Sequence, residues 1–195
     1  MTTHMQNSRR TFLGTATSAL VLLAAPALSY GRSDDNGQRR TYPPIPPAYG
    51  QVARSLGLPA TILYGVAIQE SVMVWKTVAL PWPWTLNVRA VPRRYASYAE
   101  AVTDLRQVLA QGVRNVDCGT MQVNWRYHSD RLRTPTLALD PWHNLTVAAS
   151  ILLERRAAAT NWFDAVGAYH VQDDEGRATR YARSVFAHIA RIEHV

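Results

Sequence analysis

The chain has 195 residues, a formal net charge of +7 and 47% hydrophobic residues. This length suits one folded domain with a targeting segment, and the hydrophobic content argues against a disordered chain. A basic protein suits any polyanion, nucleic acid included, so the charge alone does not select a partner. Cys118 is the only cysteine, which excludes an intramolecular disulfide.

Residues 1–29 predict an export signal. A charged region ends in Arg9-Arg10, an apolar stretch runs from Phe12 to Leu28, and small residues suited to signal peptidase close it. The stretch 8–14 resembles the twin-arginine signal, which exports folded proteins, and an ordinary secretory signal is the alternative. The uninterrupted apolar run is too short to span a bilayer, and no cysteine follows it for a lipid anchor. We therefore expect a periplasmic protein without a stable membrane anchor.

The rest of the chain predicts a mostly helical domain. Residues 30–47 are polar and then proline-rich, which indicates a flexible or extended leader, and the folded domain is expected over residues 48–195. Capping residues and apolar periodicity predict five or six helices. They cover about 48–56, 59–70, 97–112, 140–157 and 161–169, and a last amphipathic helix carries Tyr181, Val185, Ile189 and Ile192. Residues 78–95, rich in proline and tryptophan, predict a small β-hairpin, so the fold class is mostly α with an α+β character.

Glu70 lies on the apolar face of its predicted helix. Leu63, Val66, Ala67 and Val74 share that face at spacings of three, four and seven residues. A carboxyl group in such a place is desolvated, which raises its pKa and keeps it protonated near neutral pH, as a general acid requires. The pattern also suits a buried glutamate paired with an arginine, and by itself it favours that structural role.

Four motifs then occur in the order in which the soluble lytic transglycosylase family has them, a family similar in fold to goose-type lysozyme. They are Gln69-Glu70-Ser71, Gly119-Thr120-Met121-Gln122-Val123-Asn124, Asp140-Pro141-Trp142-His143-Asn144-Leu145 and Ala168-Tyr169-His170. The resemblance covers about residues 55–190. The stretch Pro81–Val88 further resembles family members carried by integrative conjugative elements.

The resemblance implies cleavage of peptidoglycan glycan strands between N-acetylmuramic acid and N-acetylglucosamine without water, with Glu70 as the single acid and base. The substrate-binding residues that it implies, or that adjoin its motifs, are Ser71, Asn87, Met121, Gln122, Asn124, Tyr169 and His170. Tyr169 is expected to place its hydroxyl against the Glu70 carboxylate. His170 stands where the family has an asparagine, so an imidazole replaces an amide contact to the substrate.

Two other functions on this fold stay open. One is a hydrolytic muramidase, and the other is an inactive peptidoglycan-binding part of a secretion or conjugation apparatus. A conjugative transfer apparatus is the macromolecular partner that we expect, and nucleic acid is not. No cofactor is expected, and the histidines lack the paired spacing of a metal site.

The remaining chemically interesting residues have structural alternatives. Asp117 is the nearest candidate for a second catalytic carboxylate, although an aspartate there more often caps a helix or fixes a turn. Cys118 suggests a cysteine peptidase or a packed thiol, and it lacks the helix start that activates a nucleophilic cysteine. Tryptophans stack on sugar rings or fill cores. We expect Trp142 and Trp162 to pack in the core. For Trp82 and Trp84, sugar stacking and core packing both stay open.

Overall fold

A computed structural model describes residues 41–193. Within this range the chain forms eight helices and six short strands, which confirms the α-dominated α+β class. The helices are α1 (Pro47–Leu56), α2 (Ala60–Ser71), α3 (Tyr98–Ala110), α4 (Trp125–Leu132), α5 (Pro135–Leu139), α6 (Pro141–Ala157), α7 (Trp162–His170) and α8 (Glu175–Glu193). The strands are β1 (Val72–Trp75), β2 (Val78–Pro81), β3 (Thr85–Val88), β4 (Val91–Arg94), β5 (Val116–Cys118) and β6 (Val123–Asn124).

The predicted helices are confirmed, and their ends follow from local chemistry. Helix α1 ends at Gly57, which takes the left-handed conformation with φ 78°. The side chain of Ser97 accepts a hydrogen bond from the Glu100 amide, and the Glu100 side chain accepts one from the Ser97 amide in return. Asp140 and Asn161 accept hydrogen bonds from the first turns of α6 and α7. Side chains that satisfy the free amides at a helix start therefore made these boundaries predictable.

Helices α4 and α5 were not predicted. Each begins at a side-chain cap, Asn124 for α4 and Thr134 for α5. Helix α4 has eight residues with a kink at His128, and α5 has five residues. Elements this short show too little apolar periodicity to be recognised in a sequence.

The β structure is more extensive than the single hairpin predicted over residues 78–95. Strands β1 and β2 form one antiparallel hairpin, which begins directly after α2. Strands β3 and β4 form a second hairpin, and β5 and β6 extend it into an antiparallel sheet of order β4-β3-β5-β6. Strands β5 and β6 have three and two residues, which is too short for an alternating pattern.

Part of the predicted leader is packed on the domain. Tyr42 is 3% exposed, and its hydroxyl lies 3.1 Å from Nδ1 of His188 on α8. Thr41 pairs with Val78 of β2 through backbone hydrogen bonds on either side. Of the two alternatives for the leader, residues 41–46 therefore follow the extended one, and the buried ring of Tyr42 holds this segment on the domain. Residues 1–29 of the predicted signal and residues 30–40 lie outside the described range.

No helix between residues 41 and 193 combines the length and the apolar character needed to cross a lipid bilayer.

Asn144 of α6 ties the loop after β5 to the helical core. This residue is fully buried, and its Oδ1 accepts a hydrogen bond of 2.9 Å from the Met121 amide. Its Nδ2 donates to the carbonyl oxygens of Cys118 at 2.9 Å and Ala138 at 3.0 Å. One amide side chain thereby bonds three backbone groups, at the end of β5, in the loop after it and in α5.

We expect Asn144→Ala to lower the free energy of unfolding by about 3 kcal/mol or more, because one amide and two carbonyls lose buried partners. Asn115→Ala is the matched control, since it removes an exposed hydrogen bond to Asn124 and should cost no more than about 0.5 kcal/mol. Urea unfolding of the two variants and the parent chain measures both. Equal losses in the two variants would contradict the role given to Asn144.

Candidate active site

Glu70 lies in the last turn of α2, where the helix leaves the core. Residues 62–69 of this helix are buried on every side, so α2 has no exposed face until Glu70, which is partly exposed. The predicted helical neighbour Val74 lies in β1 instead, because α2 ends at Ser71. The hydroxyl of Tyr181, from α8, donates a hydrogen bond of 2.5 Å to Glu70 Oε1. Two long helices thus meet at this carboxyl group.

The surroundings of Glu70 hold its proton. The pKa of Glu70 is raised from 4.5 to about 8. Burial raises it most, the Tyr181 hydrogen bond lowers it, and the charge of Asp117 raises it further. Within residues 41–193, no arginine forms an ion pair with Glu70. The paired structural role that the sequence pattern favoured is therefore wrong. Glu70 is a protonated carboxyl group at neutral pH in a partly open position.

A row of polar side chains crosses the four-stranded sheet beside this carboxyl group. Asn87 of β3 lies directly opposite Asp117 of β5, which in turn lies opposite Asn124. Opposed residues of antiparallel strands project to the same face, so the three side chains form one row. Asn124 Nδ2 donates to Asp117 Oδ1 at 2.6 Å and lowers its pKa, but burial has the larger effect and raises it. Asn87 Oδ1 is buried and accepts no hydrogen bond from the described residues.

The loop between β5 and β6 forms a rigid turn behind the site. Gly119 has φ 72°, and a Cβ atom there would lie 2.8 Å from Cγ of Asn144, so only glycine fits. Gln122 also has a positive φ, 46°, which is unusual for a residue with a side chain. Its Nε2 donates to the Gly119 carbonyl at 2.8 Å and closes the turn. Backbone strain of this kind persists where the surroundings hold it, and it often lies at functional sites.

The structure gives Tyr169 a different role from the predicted one. Its hydroxyl donates to the Met121 carbonyl oxygen at 2.8 Å, and the hydroxyl that bonds Glu70 belongs to Tyr181. The prediction of a hydrogen bond from Tyr169 to Glu70 is therefore wrong. Tyr169 still lies near the Glu70 carboxyl group. Burial raises the pKa of Tyr169 most, and the charges of Glu70 and Asp117 raise it further.

Two other predicted residues use their polar atoms inside the protein. The Ser71 hydroxyl donates to the Ala67 carbonyl oxygen of its own helix, and the residue is 1% exposed. Asn124 caps α4 with its Oδ1 and donates both protons of its amide nitrogen, to Asp117 and Asn115. Their direct contact with a substrate stays a prediction, and this geometry favours a supporting role. Met121 is fully buried, so its side chain lies beneath the surface of the site.

The sequence did not reveal Tyr181 as part of the site. It was expected as an apolar position of the last amphipathic helix, in a stretch, 180–185, that fits the closing helix of the family, and it is buried, with 7% of its surface exposed. Its hydroxyl is the polar end of an otherwise apolar side chain. The spacing of a helix does not indicate which distant residue that hydroxyl meets, so no signal in the sequence pattern distinguishes Tyr181 from a core residue.

The structural alternatives hold for Cys118 but not for Asp117. Cys118 is fully buried in β5, and burial raises the pKa of its thiol, so no thiolate is available to act as a nucleophile. Asp117 lies in the middle of the same strand, so the expected helix cap or turn is wrong. Among residues 41–193, no three histidine, cysteine, aspartate or glutamate side chains gather in a group able to hold a metal ion.

The tryptophans divide between packed and exposed positions. The rings of Trp82 and Trp84 meet edge to face at 5.4 Å, and Trp82 Nε1 donates to a backbone carbonyl at 2.9 Å. Trp162 packs against the core as expected. Trp142 is 49% exposed, so its predicted core position is wrong, because it lies in the first turn of α6 on the solvent side. Trp75, at the end of β1, is 70% exposed.

A helical domain with small antiparallel sheets, whose first buried helix ends in a protonated glutamate, belongs to the lysozyme-like class. The family model for the transglycosylase SLT domain matches residues 49–186. The chain therefore belongs to the SLT transglycosylase family. Comparison with curated proteins and with solved structures gives no match. The match includes α2, the four-stranded sheet, α7 and the part of α8 that carries Tyr181.

The raised pKa of Glu70 makes stability depend on pH. The folded chain keeps this proton up to about pH 8, whereas the unfolded chain releases it near pH 4.5. The folded state binds more protons between these values, so Glu70 lowers the free energy of unfolding as the pH rises through this window. We expect Glu70→Gln to be progressively more stable than the parent chain, by on the order of a few kcal/mol at pH 8. Urea unfolding at several pH values checks this, and a constant difference would contradict it.

Two further substitutions should move the pKa of Glu70 in opposite directions. Tyr181→Phe removes a hydrogen bond that stabilises the carboxylate, so the pKa rises. Asp117→Asn removes a neighbouring negative charge, so the pKa falls. The two variants control for each other, since a general disturbance of packing would shift the pKa of Glu70 in the same direction in both. The carboxyl carbon resonance of ¹³C-labelled Glu70, followed over pH, measures each shift.

Proposed function

We propose that the chain is a peptidoglycan lytic transglycosylase with Glu70 as its acid and base. One observation carries the proposal: Glu70 lies at the end of a buried helix with its carboxyl group bonded to a tyrosine hydroxyl, within a domain of the SLT transglycosylase family. Burial at this place raises its pKa to about 8, which suits an acid. Family membership supports peptidoglycan as the substrate, and the geometry of Glu70 supports the reaction. The alternative of an inactive binding protein would not need a carboxyl group in this costly environment.

The first step uses Glu70 as an acid. The acetamido oxygen of N-acetylmuramic acid attacks the anomeric carbon of its own ring, and the bond from that carbon to the glycosidic oxygen breaks. Glu70 gives its proton to the departing oxygen, so N-acetylglucosamine leaves as an alcohol. One carboxyl group suffices here, whereas most glycosidases need two.

The second step uses the ionised Glu70 as a base. It accepts the proton of the C6 hydroxyl while that oxygen attacks the anomeric carbon and the bond to the acetamido oxygen breaks. No water is consumed, and the sugar ends in a 1,6-anhydro ring. A group that donates a proton and then accepts one works best with a pKa near the ambient pH, and the value of about 8 suits both tasks.

Asp117 favours hydrolysis as the second candidate. Its carboxyl group is mostly buried in the polar row, and its charge contributes to the pKa of Glu70. A second carboxylate near the acid allows a water molecule to be activated, which is the arrangement of an inverting glycosidase. The same bond of peptidoglycan would then yield a reducing muramic acid end.

The cellular setting that we propose is the periplasm, where local cleavage opens the wall for a conjugation or secretion apparatus. The predicted export signal over residues 1–29 supports the compartment. The likeness of Pro81–Val88 to members carried by conjugative elements supports the partner. A pull-down from a donor strain with and without the conjugation genes would test that partner.

The product of the reaction separates the two candidates. We expect digestion of purified sacculi to give 1,6-anhydromuramoyl ends, which are lighter by one water than hydrolytic ends and are distinguished by mass spectrometry. Glu70→Gln keeps the shape but has no transferable proton, so cleavage should fall by on the order of 10²–10⁴-fold. Reducing ends that disappear in Asp117→Asn would establish a muramidase instead. Cleavage by the Glu70→Gln variant at the parent rate would contradict both candidate reactions, since each needs Glu70 as the acid.

A further inference from the structure

His170 covers the ring of the tyrosine that holds Glu70. The imidazole of His170 and the phenol ring of Tyr181 are stacked, with centroids 4.5 Å apart and planes inclined by 1°. Tyr181 is 7% exposed, and the His170 side chain is exposed above it. Glu70, Tyr181 and His170 therefore follow one another from the end of α2 to the surface of the protein.

The stack follows from the close approach of α7 and α8. Gly167 of α7 lies so near α8 that a Cβ atom would stand 2.9 Å from the Ala178 carbonyl oxygen. His170 and Tyr181 each follow this contact by three residues, which is about one helical turn. The two helices run in opposite directions, so His170 lies one turn towards their connection and Tyr181 one turn away from it, and the two rings meet across the contact.

The stacked imidazole of His170 is neutral at neutral pH. Burial and the charge of Arg177 both lower the pKa of His170, so its imidazole carries no proton charge there. Among residues 41–193, Glu70 is bonded to Tyr181, the charge of Arg177 acts on His170, and Tyr169 and Asp117 interact with Glu70. Of these, Glu70 alone is bonded to the stacked tyrosine and changes protonation during the proposed reaction.

We propose that His170 is a positioning residue, which fixes the Tyr181 ring by stacking so that its hydroxyl meets Glu70. The inference rests on the proposed function for its effect on turnover. The hydroxyl of Tyr181 stabilises the carboxylate that the second step needs as a base. Loss of the stacked ring lets the Tyr181 hydroxyl shift relative to Glu70, which weakens that hydrogen bond and slows the base step without changing how the glycan binds.

Three substitutions separate stacking from other roles of this position. His170→Phe keeps a flat ring and removes the polar edge. His170→Leu fills similar space without a flat ring, and His170→Ala removes both. Gln172→Ala is the matched control, since Gln172 is exposed two residues further along the same connection between α7 and α8. Each variant is assayed on purified glycan strands, and its Glu70 titration is followed by the carboxyl carbon resonance.

We expect His170→Phe and Gln172→Ala to keep the parent kcat within about twofold. His170→Leu and His170→Ala should lose about tenfold or more in kcat, since misplaced catalytic groups cost rate rather than binding. Their KM should stay within about twofold of the parent value. In the same two variants the Glu70 titration should move to higher pH, because the Tyr181 hydrogen bond that lowers its pKa is weakened.

Two results would overturn the inference. If His170→Phe and His170→Ala both raise KM and leave the Glu70 titration unchanged, His170 contacts the substrate through its polar edge. If all three variants unfold at lower urea concentration with an unchanged titration, the stack is only structural. The titration also keeps the two proposals apart. A parent chain that cleaves no glycan would overturn the proposed function, while the shift in His170→Ala but not in His170→Phe would still support the positioning role.

Discussion

The structure depends on one buried amide. Asn144 bonds backbone groups of β5, the loop after it and α5, and the space for its side chain exists only because position 119 lacks a Cβ atom. The strained turn that ends in Gln122 is held between this amide and the Tyr169 hydroxyl, which bonds the Met121 carbonyl oxygen. Helix α6 therefore fixes the backbone amide of Met121, and helix α7 fixes its carbonyl group. A loop with so few degrees of freedom presents the floor of the site in one conformation.

The position of the Glu70 carboxyl group follows from a second constraint, the depth of α2. Residues 62–69 of α2 are buried on all sides, and Glu70, which follows them, is partly exposed, so it lies between the core and the solvent. The chain continues directly into β1, and the Trp82 amide donates to the Ser71 carbonyl oxygen, so the end of the helix cannot fray. Burial raises the pKa of Glu70 at this point, while its partly exposed position leaves the carboxyl group open to solvent.

The elements of this fold were predictable where a single side chain determines a boundary, and the site was predictable only in part. Ser97, Asp140 and Asn161 cap helices through contacts within three residues, so the sequence contains the whole interaction. Glu70 was identified by a local motif in the same way. The partner of Glu70 was not, because Tyr181 lies 111 residues away and its spacing indicates only a buried face. Asp117 was misassigned for the same reason, since its strand partners lie in segments too short to show alternation.

The pKa of about 8 is a balance, and each contribution has a physical consequence for the proposed reaction. Burial alone would hold the proton more firmly, which favours the first step and opposes the second. The Tyr181 hydroxyl offsets part of that effect, because a donor to the carboxylate stabilises the form that must act as a base. Asp117 acts in the other direction, and Asn124 limits it by a hydrogen bond that stabilises the Asp117 carboxylate. The two tyrosines therefore have separate effects. Tyr169 supports the loop between β5 and β6, and Tyr181 lowers the pKa of Glu70. Such a division leaves the acidity of Glu70 adjustable through α8 without disturbing the floor of the site.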